Sequence, residues 1–287
     1  MKRIFFVTVV VALSLVSCVG GEAPPVEIQE KQLNISILLD LSERISPEKY
    51  PNQWGYDIGN IKTITEFFKS NMESLGAWKA KGKIRIFLIP PPDNTNINSI
   101  VKKLTIDCSK MNNNEKKEVY DDITKRYIQN LEEIYQQTIV ANRWQGSDIW
   151  RFFKDNVKDY CIDKDSNYRN ILIILTNGYL YEQHTKDPKR PNTTSIRAEY
   201  LGNYRRDNWK QLIERDSLSI KAERNDLQDL EILVLGIKAE ETRNRIDEDI
   251  LIYLWENWFD RMNVSHYKIY RSDLPANTKT RIENFLK

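Results

Sequence analysis

Three short stretches carry residues whose types and spacing could do chemistry: Asp40-Leu41-Ser42-Glu43-Arg44, Gly146-Ser147-Asp148 and Thr176-Asn177-Gly178. The first ends the apolar run "NISILLDLS" (34–42). An acid at the end of a buried run is costly unless something pairs with it, so Asp40 either satisfies a turn or helps hold a cation. Asp40, Ser42 and Ser147 offer three hard oxygens, and Asn177 adds a neutral one, directly or through water. That is donor chemistry for Mg²⁺ or Mn²⁺. Asp40 is the secure carboxylate of the set, with Asp148 a substitute for the missing charge. Arg44 opposes a divalent cation unless its side chain points away, or else it pairs with Asp40 and takes the metal's place. Each residue also has a plain structural role. Asp40 and Ser42 can satisfy turn backbone, Ser147 can be a helix N-cap worth about 1 kcal/mol, and Asn177-Gly178 is an ordinary turn pair. Their joint placement is what singles them out.

That placement depends on the elements around them. "NISILLDLS", "KIRIFLIP" (83–90), "RNILIILTNG" (169–178) and "LEILVLGIK" (230–238) are short apolar runs of the kind buried on both faces of a sheet. "IVKKLTIDC" (100–108) reads as an edge strand, its lysines discouraging further pairing. Ile58, Ile61, Ile64, Phe68, Met72 and Leu75 recur at helical spacing. Helices are also expected over 114–141, over "SDIWRFFKDNVKDYC" with Ile149, Phe153, Val157 and Tyr160 as its inner face, and over "DEDILIYLWENWFDRM". The strand "HYKIYR" and a terminal helix follow. Alternating strands and helices predict an α/β fold with a doubly wound, mostly parallel sheet, helices on both faces and one antiparallel edge strand. In such sheets ligands sit outside the carboxyl ends of the strands, where strand order reverses. Segments 112–142 and 182–228 exceed ordinary connection lengths and read as insertions into one domain spanning 33–287.

With these residues the chain resembles a von Willebrand factor A-type domain with its metal-ion-dependent adhesion site. That family carries Asp-x-Ser-x-Ser after the first strand, a Thr at the start of a middle helix and an Asp in a Thr-Asp-Gly turn after the fourth strand. Asp40 and Ser42 match the first motif, but Arg44 replaces its last Ser. Ser147, in "QGSDI", keeps the hydroxyl of the Thr, and Asn177, in "LTNG", replaces the Asp with a neutral oxygen. The resemblance covers most of 33–287. It implies a degenerate site at Asp40, Ser42 and Ser147 for Mg²⁺ or Mn²⁺, and a protein or peptide partner gripped at the carboxyl-end edge of the sheet.

The N-terminus sets the expected location. Met1-Lys2-Arg3, the apolar Ile4–Ser17 and Cys18 describe a secretory signal over 1–17. The apolar stretch is shorter than the about 20 residues of a membrane span. Leu15-Val16-Ser17-Cys18 resembles a bacterial lipobox, which implies cleavage before Cys18 and its acylation. The protein is then anchored to the membrane of the cell envelope, the outer more than the inner, rather than spanning it. Residues 18–32 form a flexible tether. Cys108 and Cys161 remain after processing, in a compartment that permits a disulfide, and sequence alone leaves their pairing open.

Other functions are disfavoured. A net charge of +2 argues against a general nucleic-acid role. The two histidines, His184 and His266, lie far apart, which disfavours zinc. Phosphate-loop and nucleophile-elbow patterns are missing from the sequence. Trp54, Tyr56, Trp144, Tyr179, Tyr181, Tyr200 and Tyr204, several beside arginines, suit either core packing or a protein-binding surface. The expectation is therefore a lipid-anchored binding module and not an enzyme. The alternatives are a metal-dependent hydrolase using Asp40 and Asp148, or a purely structural envelope lipoprotein.

Overall fold

A computed structural model of the chain describes residues 31–182, 192–241 and 244–287. The expected signal peptide, Cys18 and nearly all of the tether lie outside the described residues, as does His184. No helix among the described residues is long and apolar enough to cross a membrane.

The strands are β1 (Gln32–Asp40), β2 (Lys83–Ile89), β3 (Ile106–Asp107), β4 (Gly146–Ser147), β5 (Tyr168–Leu175), β6 (Tyr181–Glu182), β7 (Asn192–Thr193), β8 (Ser219–Ile220), β9 (Leu230–Ile237) and β10 (His266–Arg271). The helices are α1 (Gln53–Lys79), α2 (Thr95–Lys103), α3 (Asn113–Ala141), α4 (Ile149–Asp155), α5 (Val157–Cys161), α6 (Ala198–Leu201), α7 (Trp209–Arg215), α8 (Ile246–Arg261) and α9 (Pro275–Leu286). The main sheet has the order β10-β9-β5-β1-β2-β3, all parallel except the edge strand β3. Counted within this sheet alone, the order is 3-2-1-4-5-6, so the chain reverses direction across the sheet between β1 and β5. The expected doubly wound α/β architecture is present. Lys31–Lys287 is one compact unit, with β1 starting at Gln32, inside the expected tether.

Side chains on the central strands alternate between two cores, as a pleat requires. Ile35, Ile37 and Leu39 of β1 and Ile171, Ile173 and Leu175 of β5 pack with α1, α2, α3 and α9. Leu38, Leu172, Ile174, Ile232 and Val234 pack on the other face, with α4, α5 and α8. The buried stripe of α1 includes Ile61, Ile64, Phe68 and Met72, as expected from its spacing.

Several expectations are corrected. Residues 100–103 are helical, not strand: Asn94 caps α2 by accepting from the amides of Asn96 and Ile97, and Ile97 and Ile100 are buried one turn apart. The segment 149–161 is two helices broken at Asn156, and Cys161, not the half-exposed Tyr160, faces the core. The stretch 112–142, expected as an insertion within the domain, is one long packed helix. As α3 it buries Val119, Ile123, Tyr127, Leu131, Ile134 and Tyr135 in the core shared with α1. Cys108 and Cys161 are free thiols in the two different cores, so the disulfide left open by the sequence is not formed.

The segment 182–228 is stitched down where it is described. Leu180 bridges Ile196, β7 pairs with β8, and Leu201, Tyr204, Ile213 and Ile220 enter the second core. Arg205 donates to both carboxylate oxygens of the buried Asp247 on α8, at 2.9 and 2.8 Å.

Candidate functional site

The turns after β1 and β5 meet at the switch point, and Asp40 is their junction. It is fully buried. One carboxylate oxygen accepts from the Ser42 amide at 2.9 Å, the other from the Thr176 hydroxyl at 2.7 Å. Burial pushes the Asp40 pKa above its ordinary value, against the opposing pull of Arg44, Ser42 and Thr176. Thr176 also accepts from the Gly178 amide at 3.1 Å, closing the second turn. Gly178 has φ +95°, and a Cβ there would lie 2.6 Å from Ile237 Cδ1, so the turn needs glycine.

Arg44 is turned inward. Its Nε donates to the Asp40 carbonyl at 2.9 Å and lies 3.8 Å from the Asp40 carboxylate. Its Nη2 is 2.9 Å from Asp57 Oδ2 on α1. Asp57 in turn accepts from Gln53 at 3.0 Å and from the Tyr135 hydroxyl on α3. Burial works against the Arg44 charge, but Asp57 and its neighbours outweigh it and hold the guanidinium protonated. Burial likewise raises the Tyr135 pKa, with Asp57 adding to it, so the phenol keeps its proton.

Asp57, Gln53 and Tyr135 were not among the residues singled out from the sequence, where Thr176 stood only as part of its turn. A signal existed for two of them. Gln53, Asp57, Ile61 and Ile64 fall at spacings of four, four and three, so both polar residues sit on the buried stripe of α1. Nothing local marks Tyr135 as a partner of a residue 78 positions away.

Ser147 and Asp148 divide roles differently from the expectation. Ser147 belongs to β4, which pairs antiparallel with β6, and it is Asp148 that caps α4, accepting from the Arg151 amide at 3.1 Å. Asp148 is also tied to the Arg151 guanidinium at 2.7 Å. Gly146 makes the β4 approach possible. It has φ +89°, and a Cβ would fall 2.0 Å from the Tyr181 carbonyl oxygen. The buried Ser147 hydroxyl has no hydrogen-bond partner among the described residues. Asn177 is half-buried, and its side chain accepts from the Tyr179 amide at 3.3 Å.

The donor set does not fit a divalent metal. Both Asp40 oxygens already accept hydrogen bonds, Asp148 is committed to α4 and Arg151, and a guanidinium shares Asp40. At an effective dielectric of about 20, unit charges about 4 Å apart repel by about 4 kcal/mol, and a divalent ion doubles that. The described residues hold no group of three His, Cys, Asp or Glu side chains placed to bind a metal. Among the described residues of this edge, the orphaned Ser147 hydroxyl is a feature that a ligand oxygen set would explain, but it stands alone there.

Beside the two turns a cleft of about 650 Å³ opens past the ends of β9 and β10. Lys238, which follows β9 and donates its amide to the Asn177 carbonyl at 3.1 Å, joins the cleft to the Asp40 junction. Arg245, Arg271, Glu248, Asp249, Asp273 and the 57 % exposed Leu274 complete most of the wall. Arg271 is paired with Glu248 at 3.1 Å and with Asp249, and Asp273 with Arg281 at 3.0 Å. The Lys238 ammonium lies 5.3 Å from the Tyr50 ring centroid.

Of the aromatics singled out in the sequence, several are structural. Tyr179 and Tyr204 are buried, and Trp54 packs edge-on to Tyr135 with ring centroids 5.8 Å apart. Tyr181 lies 3.6 Å beneath the Arg197 guanidinium. Tyr56 does line the cleft.

No family model matches the chain, and no curated protein matches it in sequence. Among solved structures it is similar to proximal thread matrix protein 1 from the mussel byssus, with zinc in its MIDAS motif, at 9 % identity and a TM-score of 0.43. It is also similar to the pilus adhesin SpaC from Lactobacillus rhamnosus GG, in an open conformation, at 13 % identity and a TM-score of 0.40. Each alignment covers 90 % of this chain, but only 48 % of the first protein and 30 % of the second. At these values neither likeness says what this chain binds.

Proposed function

We propose that this chain is a binding module of von Willebrand factor A type that holds a protein or peptide partner at the carboxyl-end edge of its sheet. The observation that carries this is the charged cleft joined to the Asp40 junction through Lys238 and Asn177. Ligands in open α/β sheets gather at such an edge. Its wall is mainly charged and contains an exposed leucine, which suits a polar polypeptide segment better than an apolar small molecule.

The partner is met by groups on the cleft rim and not by Arg44, which is only 3 % exposed. A side chain so enclosed is not placed to meet a partner's carboxylate. In our account the chain is exported and acylated at Cys18, and the tether lets the module reach its partner in the cell envelope.

Two experiments test this. Lys238→Glu combined with Arg245→Glu should weaken binding of a partner identified by crosslinking at least tenfold, with an unchanged circular dichroism spectrum. Unaltered affinity would move the site elsewhere. Cys18→Ala should abolish incorporation of radiolabelled palmitate and release the protein from the membrane fraction, and retained label would remove the anchor from the account.

A further inference from the structure

We infer that Arg44 is a resident cation standing where the family resemblance would put a metal, so the Asp40 edge is set without a divalent ion. The inference is independent of what the edge binds. Three elements are built around the guanidinium: the turn after β1 through the Asp40 carbonyl, α1 through Asp57, and α3 through Tyr135, which bonds the same Asp57 oxygen. Arg44, Asp57 and Asp40 are all but sealed from solvent.

A buried charge is retained only when it is paired and hydrogen-bonded. Here Asp57 lies outside the metal-site motif and, among the described residues, Arg44 is the cation within salt-bridge distance of it. Its role in the structure is to hold Arg44. The arrangement supplies what a bound cation would supply to this turn, a fixed positive charge beside Asp40, on a side chain that cannot dissociate. A chelator therefore has nothing to remove, and metal supply cannot switch the edge between shapes.

The test is calorimetric titration of the purified full-length chain, in detergent and stripped with EDTA, with MgCl₂ and separately with MnCl₂. Thermal unfolding is followed in parallel. The wild type should give no saturable heat at millimolar metal and the same Tm in EDTA as in either salt. Arg44→Ser leaves Asp40 and Asp57 as two carboxylates without their cation, and its Tm should rise by several degrees with Mn²⁺. Saturable binding by the wild type that is lost in Asp40→Asn overturns the inference. The wild-type titration decides the matter even where Arg44→Ser does not fold.

Discussion

Arg44 Nη2 lies 2.9 Å from Asp57 Oδ2, with both side chains 2 % exposed, and this pair joins the turn after the first strand to the long helix that follows it. Removing one partner strands the other charge in the core. Arg44→Ala and Asp57→Ala should each cost roughly 3 to 5 kcal/mol in urea unfolding. The double variant should cost clearly less than the sum of the two. Additive losses would show that the two side chains do not act as a pair.

Asp40 makes a pH prediction of definite sign. Its folded pKa is raised, chiefly by burial, above the ordinary value of 3.8. The folded state therefore holds this proton more tightly than the unfolded chain. The stability Asp40 contributes is fully present below the unfolded pKa and is lost as pH rises through the folded one. Measured against Asp40→Asn by urea unfolding, the wild type should lose ground from about pH 4 upward, then level off. A wild type that gains on the variant over that window would mean that attraction to Arg44 outweighs burial.

Ser147 and Gly146 are neighbours with opposite sensitivities. Ser147→Ala removes a buried hydroxyl that has no partner among the described residues, so stability should change by less than about 0.5 kcal/mol. Gly146→Ala should cost roughly 2 kcal/mol or more, because its backbone is left-handed and abuts the Tyr181 carbonyl. A loss above about 1 kcal/mol for Ser147→Ala in chemical denaturation would mean that its hydroxyl is engaged.

Both buried thiols should be inert in the native state. Burial raises the Cys108 pKa to about 11 and that of Cys161 to about 12, so thiolate is scarce at neutral pH. A chromogenic thiol reagent should label neither residue until denaturant is added. Rapid native labelling of either would contradict the packing described.

Much of the fold is legible because fully buried strands are conspicuous. β1, β5 and β9 are short apolar runs between turn residues, and their parallel pairing follows from strands alternating with helices. Local competition hid the rest. The lysines of 100–108 suit an edge strand as well as an exposed helix face, and the Asn94 cap decides for helix. At the site, Asp40, Ser42, Arg44 and Asn177 do lie on the two turns at the switch point. The direction of Arg44 was not readable, because it depends on Asp57 and Tyr135, brought to it by the packing of α1 on α3. The same limit applies to Ser147: its sequence suits a helix cap, and its actual pairing with Tyr181 is set by the segment beyond β5.

The proposed function has the carboxyl-end edge hold a polypeptide partner without a metal. Site-specific photo-crosslinking tests it most directly, with a benzoylphenylalanine placed at Ser272 in the cleft and, as a control, at Lys110 near the opposite end of the sheet. A discrete protein adduct is expected from position 272 and none from position 110. That adduct should be undiminished by EDTA and lost when Lys238 and Arg245 are both changed to glutamate. An adduct that forms equally from both positions, or that disappears with EDTA, would contradict it.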